Sequence, residues 1–285
     1  MHLRDILVVL DNAPGNPDRL AIALDLARQH NAHLTGLCPL DLLLPPDLGL
    51  LLGGYPDALA LQYATEQMDA QTQEKAAPIE SHFREQLRLS SVQGEYQALS
   101  GTVSSVVAAR VRTADLAIIG QPDPDADLPA TGRYLLEDVL LAAGRPVLAI
   151  PFAGKFETIG KTVLVAWMNS REAARAMNDA LPLIDPGANV TVLSVQRVRA
   201  AEDDELPSAD AAEHLARHGL RATAARTVND GSLSDSEAIL SYAADIGADL
   251  LVAGCYGHSR ARELVLGGVS RGLLRQMTVP LLMSH

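Results

Sequence analysis

Aromatic residues are scarce in this 285-residue chain, at 4%, and cysteine occurs only twice, as Cys38 and Cys255. Two cysteines exclude a disulfide framework and a thiolate zinc cluster, and they suit a reducing compartment. Positive charge is also short: 23 Lys and Arg stand against 35 Asp and Glu, for a formal net charge of −12. That balance excludes a broad nucleic-acid face, because phosphate backbones need a basic surface. Long apolar runs are missing too. The most apolar window, Leu42 to Leu52, is far too short to span a bilayer and holds Pro45, Pro46 and Asp47. The chain opens on strand-like residues with no charged-then-apolar leader. A soluble, cytoplasmic protein with no nucleic-acid or membrane partner is expected. Neither a Walker A motif nor a dinucleotide fingerprint is present.

What is plentiful is aliphatic. Hydrophobic residues make up 48% of the chain, enough for two cores filled by alanine, leucine and valine. The length suits two domains of about 140 residues. Internal similarity supports that division. Ile6 to Leu10 is a strand-like run ending at Asp11, followed by helical spacing over Asp18 to Gln29 and a second strand at His33 to Cys38. Thr162 to Trp167, Arg171 to Leu183 and Asn189 to Val195 repeat the three in order. Later, ADLAIIG from Ala114 matches ADLLVAG from Ala248, and RPVLAIP from Arg145 matches VPLLMSH from Val279. Leu7 matches Leu164 at an offset of 157, whereas Asp115 matches Asp249 at 134, so the first copy is longer by 23 residues. The surplus is assigned to Pro39–Glu80, including a polar helix over Ala58 to Lys75, and Phe152 to Gly160 is the linker. A repeat this long means tandem domains, not a solenoid.

Each copy reads β-α-β-α-β-α-β-α-β, which predicts a doubly wound parallel sheet in residues 1–151 and another in 160–285. Ligands of such sheets sit beyond the carboxyl ends of the strands, at the topological switch point. The stretch Asp249 to Ser270 is built for such a place. An apolar strand, Leu250 to Ala253, ends at Gly254, Gly257 follows, and Gly267 and Gly268 stand before a second helical segment, Val269 to Met277. Bare backbone N–H groups with a helix start behind them suit an anion. His258 and Arg260 could reach phosphates from the same turn, the arginine being the better candidate because it stays charged. Arg260, Arg262, Arg271 and Arg275 form a local basic patch.

The spacing of Gly254, Gly257 and Gly267 resembles the G-x2-G-x9-G-[S/T] motif of the nucleotide-binding universal stress proteins, and the duplicated strand order resembles the tandem form of that family. The resemblance implies Rossmann-like α/β domains of five parallel strands each, joined as an intramolecular pseudo-dimer through Val147 to Ile150 and Leu281 to Ser284. It implies ATP or another adenine nucleotide in the second domain, with Mg as an optional companion. Gly254 and Gly257 would let the turn approach phosphates and ribose. Gly267, Gly268, Val269 and Ser270 would offer backbone donors and one hydroxyl, and the backbone of Val195 would recognise adenine. Two positions depart from the family: Met168 stands where an Asp or Asn is usual, with Asn169 beside it, and Gly268 replaces the usual Ser or Thr.

The first copy keeps Asp11, but Gly120 is followed by Gln121-Pro122-Asp123-Pro124-Asp125-Ala126-Asp127. Prolines remove donors and carboxylates repel phosphate, so no nucleotide is expected there. Cys255, beside a helix start, belongs to a setting where a thiol pKa can fall, although a small turn-filling residue is the simpler reading. No general base, Walker-type lysine or metal-binding carboxylate pair accompanies the glycines, so the expected function is binding, with at most slow ATP hydrolysis. Such a protein would act in stress response through nucleotide-dependent contacts with an unidentified protein partner or a second copy. A homodimer of tandem chains is compatible with the sequence. The competing readings are a nucleotide-free interaction protein, whose Pro39–Glu80 insertion takes a partner or small apolar ligand, and an adenylyl-transferring enzyme.

Overall fold

The computed structural model describes residues 2–41, 74, 76–123, 132, 134–197, 206–255 and 268–285. Ten strands form one sheet in the order β3-β2-β1-β4-β5-β10-β9-β6-β7-β8. The first half supplies β1 (Asp5–Val9), β2 (His33–Asp41), β3 (Gly94–Gly101), β4 (Leu116–Gly120) and β5 (Val147–Ile150). The second supplies β6 (Thr162–Ala166), β7 (Asn189–Arg197), β8 (Arg221–Asn229), β9 (Leu250–Gly254) and β10 (Leu281–Ser284). Pairing is parallel within each half, as in β1 with β4 and β6 with β9. It is antiparallel only at the junction, where Leu281 faces Ala149, Leu282 faces Leu148 and Met283 faces Val147. The tandem architecture and the junction strands are those expected.

The helices are α1 (Asn16–His30), α2 (76–90), α3 (Val103–Val111), α4 (Leu135–Ala143), α5 (Arg171–Ala180), α6 (Ala209–Arg217), α7 (Asp235–Asp245) and α8 (Gly268–Gln276). The central strands are mostly apolar because both faces are covered, as parallel sheets require; β5 and β10 are buried at every residue. On one face Leu20, Ala27, Phe83, Met177 and Leu215 of α1, α2, α5 and α6 pack in a single apolar layer. On the other, Val107, Leu140, Ile239 and Leu273 of α3, α4, α7 and α8 form the second layer. Helical spacing puts these residues on one side of each helix.

The insertion is narrower than expected at both ends. Pro39, Leu40 and Asp41 extend β2 in register with Leu99, Ser100 and Gly101 of β3, and residues 76–80 belong to α2. Proline is tolerated there because β1 pairs with β2 only as far as Leu37, so at Pro39 the strand has β3 alone beside it. The helix expected over Ala58 to Lys75 and the apolar window Leu42 to Leu52 lie outside the described residues, as do Pro124, Asp125, Ala126 and Asp127 of the acidic loop.

Asp115 and Asp249, the repeated acidic residues that lead into β4 and β9, fix how each half begins. Asp115 accepts hydrogen bonds from the backbone N–H groups of Arg4 (2.8 Å) and Asp5 (3.1 Å). Asp249 accepts from the Thr158 hydroxyl at 2.9 Å and from the N–H groups of Gly160, Lys161 and Thr162 at 3.0–3.1 Å. In both halves a carboxylate thereby satisfies the donors at the start of the neighbouring strand.

Candidate functional site

In the second half the sheet reverses its direction of build between β9 and β6, which makes their carboxyl ends the switch point. After β6 the N–H of Trp167 still pairs with the carbonyl of Leu193, and the chain then turns through Met168 and Asn169 into α5. Ser170 is the N-cap of α5, its hydroxyl accepting from the N–H of Ala173 at 3.2 Å. Helix α8 starts on the same rim at Gly268. Two positive helix ends therefore border the crevice beyond β6 and β9.

The structure brings together only part of the proposed set. Gly257, His258, Arg260 and Gly267 lie outside the described residues. Met168 is 49% exposed, and Asn169 is exposed beside it, so neither is packed into the core. Both follow the last residue of β6 and belong to the turn that leads into α5. Gly268 is open: among the described residues no atom stands within 4 Å of where its Cβ would be. Val269 is exposed, whereas Ser270 is buried on the packed side of α8. Val195 is half-buried inside β7, which continues in register with β8 to Arg197 and so runs two residues past the expected end.

Gly254 has a different reason for being bare. A Cβ there would lie 2.5 Å from the backbone nitrogen of Ala173 and 2.7 Å from the carbonyl carbon of Glu172. The glycine lets the first turn of α5 sit directly against the tip of β9; room for a ligand is not what requires it. Cys255 takes the simpler of its two readings. Its side chain is fully buried, and burial together with the carboxylates of Glu137 and Glu172 pushes the thiol pKa well above its ordinary value. A neutral, enclosed thiol is a packing group. Cys38 is likewise buried, and its thiol is raised by the same loss of solvent. Trp167 is partly buried and donates from its indole nitrogen to the carbonyl of Pro207 at 3.1 Å, as a packing residue beside the crevice would.

The corresponding corner of the first half is filled from within. Arg19 is 3% exposed and donates from Nη2 to Asp11 at 2.9 Å and to Asn16 at 2.8 Å. A Cβ on Gly120 would fall 1.8 Å from Nη1 of the same guanidinium. The strand-tip glycine here makes room for an internal cation, and Asp11, the one site residue this half retained, is its counter-ion. Sequence reading missed Arg19 because helical spacing placed it on α1 without revealing that this face of α1 lies over the tip of β4. It also missed Gln121, a buried residue that reaches the other half and is described below.

Residues 160–285 match the family model described as the universal stress protein family. Over 46 residues, 16% of this chain and 16% of the relative, the sequence is 46% identical to a universal stress protein of Synechocystis sp.. The structure resembles that of a universal stress protein from Archaeoglobus fulgidus, with a TM-score of 0.69 at 15% identity, covering 98% of this chain and 96% of that one. A functionally unknown protein from Pseudomonas aeruginosa is similar at a TM-score of 0.62 and 16% identity, over 99% of this chain and 92% of that one. At these identities the structural likeness is one of fold.

Proposed function

We propose that this chain, whose residues 160–285 match the universal stress protein family model, is a nucleotide-responsive binding module which holds ATP or another adenine nucleotide, with or without Mg, in those residues. The observation that carries this reading is the contrast between the two switch points. In the second half the starts of α5 and α8 border a rim where no atom of the described residues stands near the Cβ position of Gly268 and Met168 is half-exposed. In the first half the equivalent corner already contains its cation, Arg19, paired with Asp11. Phosphate would lie against the N–H groups at the start of α8, together with those of the glycine turn that includes Gly257 and Gly267 and the side chains of His258 and Arg260. Adenine would lie toward Val195, next to the turn of Met168 and Asn169.

The reading is of a sensor whose occupancy alters contacts with a protein partner or a second copy during stress. The test is mass spectrometry of small molecules released from the purified protein, backed by ATP titration of Trp167 fluorescence. Saturable binding that Gly257→Asp abolishes is the expected result. A flat titration with wild-type protein at millimolar ATP, and no released nucleotide, would overturn the reading.

A further inference from the structure

The antiparallel junction of β5 with β10 points the strands of the two halves in opposite directions. The carboxyl-end rim of the first half is therefore beside the amino-end rim of the second. Helix α8, which begins at the rim assigned to phosphate, ends at the opposite rim, against the exit of β4. Its last carbonyls meet Gln121 there. The Gln121 side chain is buried and donates from Nε2 to the carbonyl of Leu274 at 2.8 Å and to that of Arg275 at 3.0 Å. Its Oε1 accepts from the N–H of Phe152 at 3.2 Å, and its own N–H donates to the carbonyl of Ile150 at 2.7 Å. The side-chain amide and the backbone N–H of one residue are thus committed, two of the bonds crossing to the other half. The carbonyls it takes are among those a helix end leaves unsatisfied, at the negative pole of the dipole.

The same device operates in the other direction. Arg175 of α5 donates from Nη2 to the carbonyl of Gly144 at 2.6 Å, at the C-cap of α4. Each half caps the helix that precedes the other half's junction strand. A second contact ties α8 to the first half, the Arg271 guanidinium lying 5.8 Å from the centroid of the Tyr134 ring.

We propose that Gln121 is a positioning residue for the nucleotide site of the other half: it holds the C-terminal end of α8 so that the N-terminal end is fixed where phosphate is to be bound. The inference rests on the nucleotide reading above. It assigns the first half a role that explains why this half persists without an open site of its own: it braces the helix that the second half uses. Ordering of α8 by phosphate would in turn be felt at the 121–123 loop, because coupling between two ends of one rigid helix is reciprocal.

The experiment compares Gln121→Glu, Gln121→Leu and Gln121→Lys in the full chain, with ATP titration of Trp167 fluorescence and amide hydrogen exchange over 268–276. Glutamate sets a negative charge against two carbonyls and leucine offers no donor, so both should weaken ATP binding about tenfold and speed exchange across α8. Lysine restores a donor with the charge that a helix C-terminus favours, and should recover most of the affinity and protection. A general loss of stability would move all three variants alike and speed exchange throughout the chain, not selectively across α8. Wild-type affinity and protection in the glutamate and leucine variants overturn the proposal, as does a lysine variant no better than glutamate. If the wild-type protein itself binds no nucleotide, the reading of the site fails and the positioning role fails with it, whereas intact binding with an unaffected α8 defeats the positioning role alone.

Discussion

At the scale of single residues, the acidic position that precedes the fourth strand holds the entry of a neighbouring strand in each half, with more donors in the second half than in the first. Asp249 takes four donors, three of them backbone N–H groups where the chain enters β6. Asp115 takes two. Bonds to a charged acceptor contribute more than neutral ones, and leaving several donors unmatched adds to the loss. Asp249→Asn keeps the shape but loses the charge and turns one acceptor into a donor. It should lower unfolding free energy by about 2 kcal/mol, more than Asp115→Asn, which removes a smaller set of bonds. Urea denaturation of the two variants checks the order; equal effects would show that the extra bonds at Asp249 contribute nothing. The Ala-Asp-Leu repeat was plain in the sequence, yet its meaning was not. A side chain that bonds backbone 87 to 89 residues away leaves no local signature.

At the scale of elements, the glycine stretch separates into two kinds of position. Gly254 is bare because α5 presses on the tip of β9, and Gly268 is bare with nothing near it among the described residues. Gly254→Ala forces strand and helix apart where backbone meets backbone, and should cost about 2 kcal/mol or more. Gly268→Ala adds a methyl at the first residue of α8 and should leave stability within about 0.5 kcal/mol of wild type. Thermal melts of both variants decide this. A destabilised Gly268→Ala protein would mean that the rim at α8 is already packed. The motif spacing in the sequence located the strand tip and the helix start correctly, because both are set by local pattern. It could not tell a packing glycine from an open one, because that depends on which helix crosses which strand. The same limit hid Arg19, a charged residue in an otherwise ordinary amphipathic helix, whose burial follows only from the partners Asp11 and Asn16 and the missing Cβ of Gly120.

At the scale of the whole molecule, the two halves share one sheet and two apolar layers. The duplicated strand pattern revealed two five-stranded units, and the proline-led last strands suggested where they meet. The cross-half caps were not legible: Gln121 sits in a stretch that reads as an acidic loop, and its partners are 153 and 154 positions away. What the continuous sheet implies is a single cooperative unit, since neither half can lose its junction strand without exposing the edge of the other. Leu282 and Leu148 face each other in the antiparallel register and are both fully buried. Truncating Leu282 opens a cavity in a layer that includes β5 as well as β9, and Leu282→Ala should cost about 2–5 kcal/mol. The loss should appear as one transition, with amide protection falling in β4 and β5 of the first half along with β9 and β10 of the second. If protection in β4 and β5 stayed at its wild-type level while β9 weakened, the halves would be independent folds in contact, and a brace at Gln121 could act only through the few bonds it makes itself.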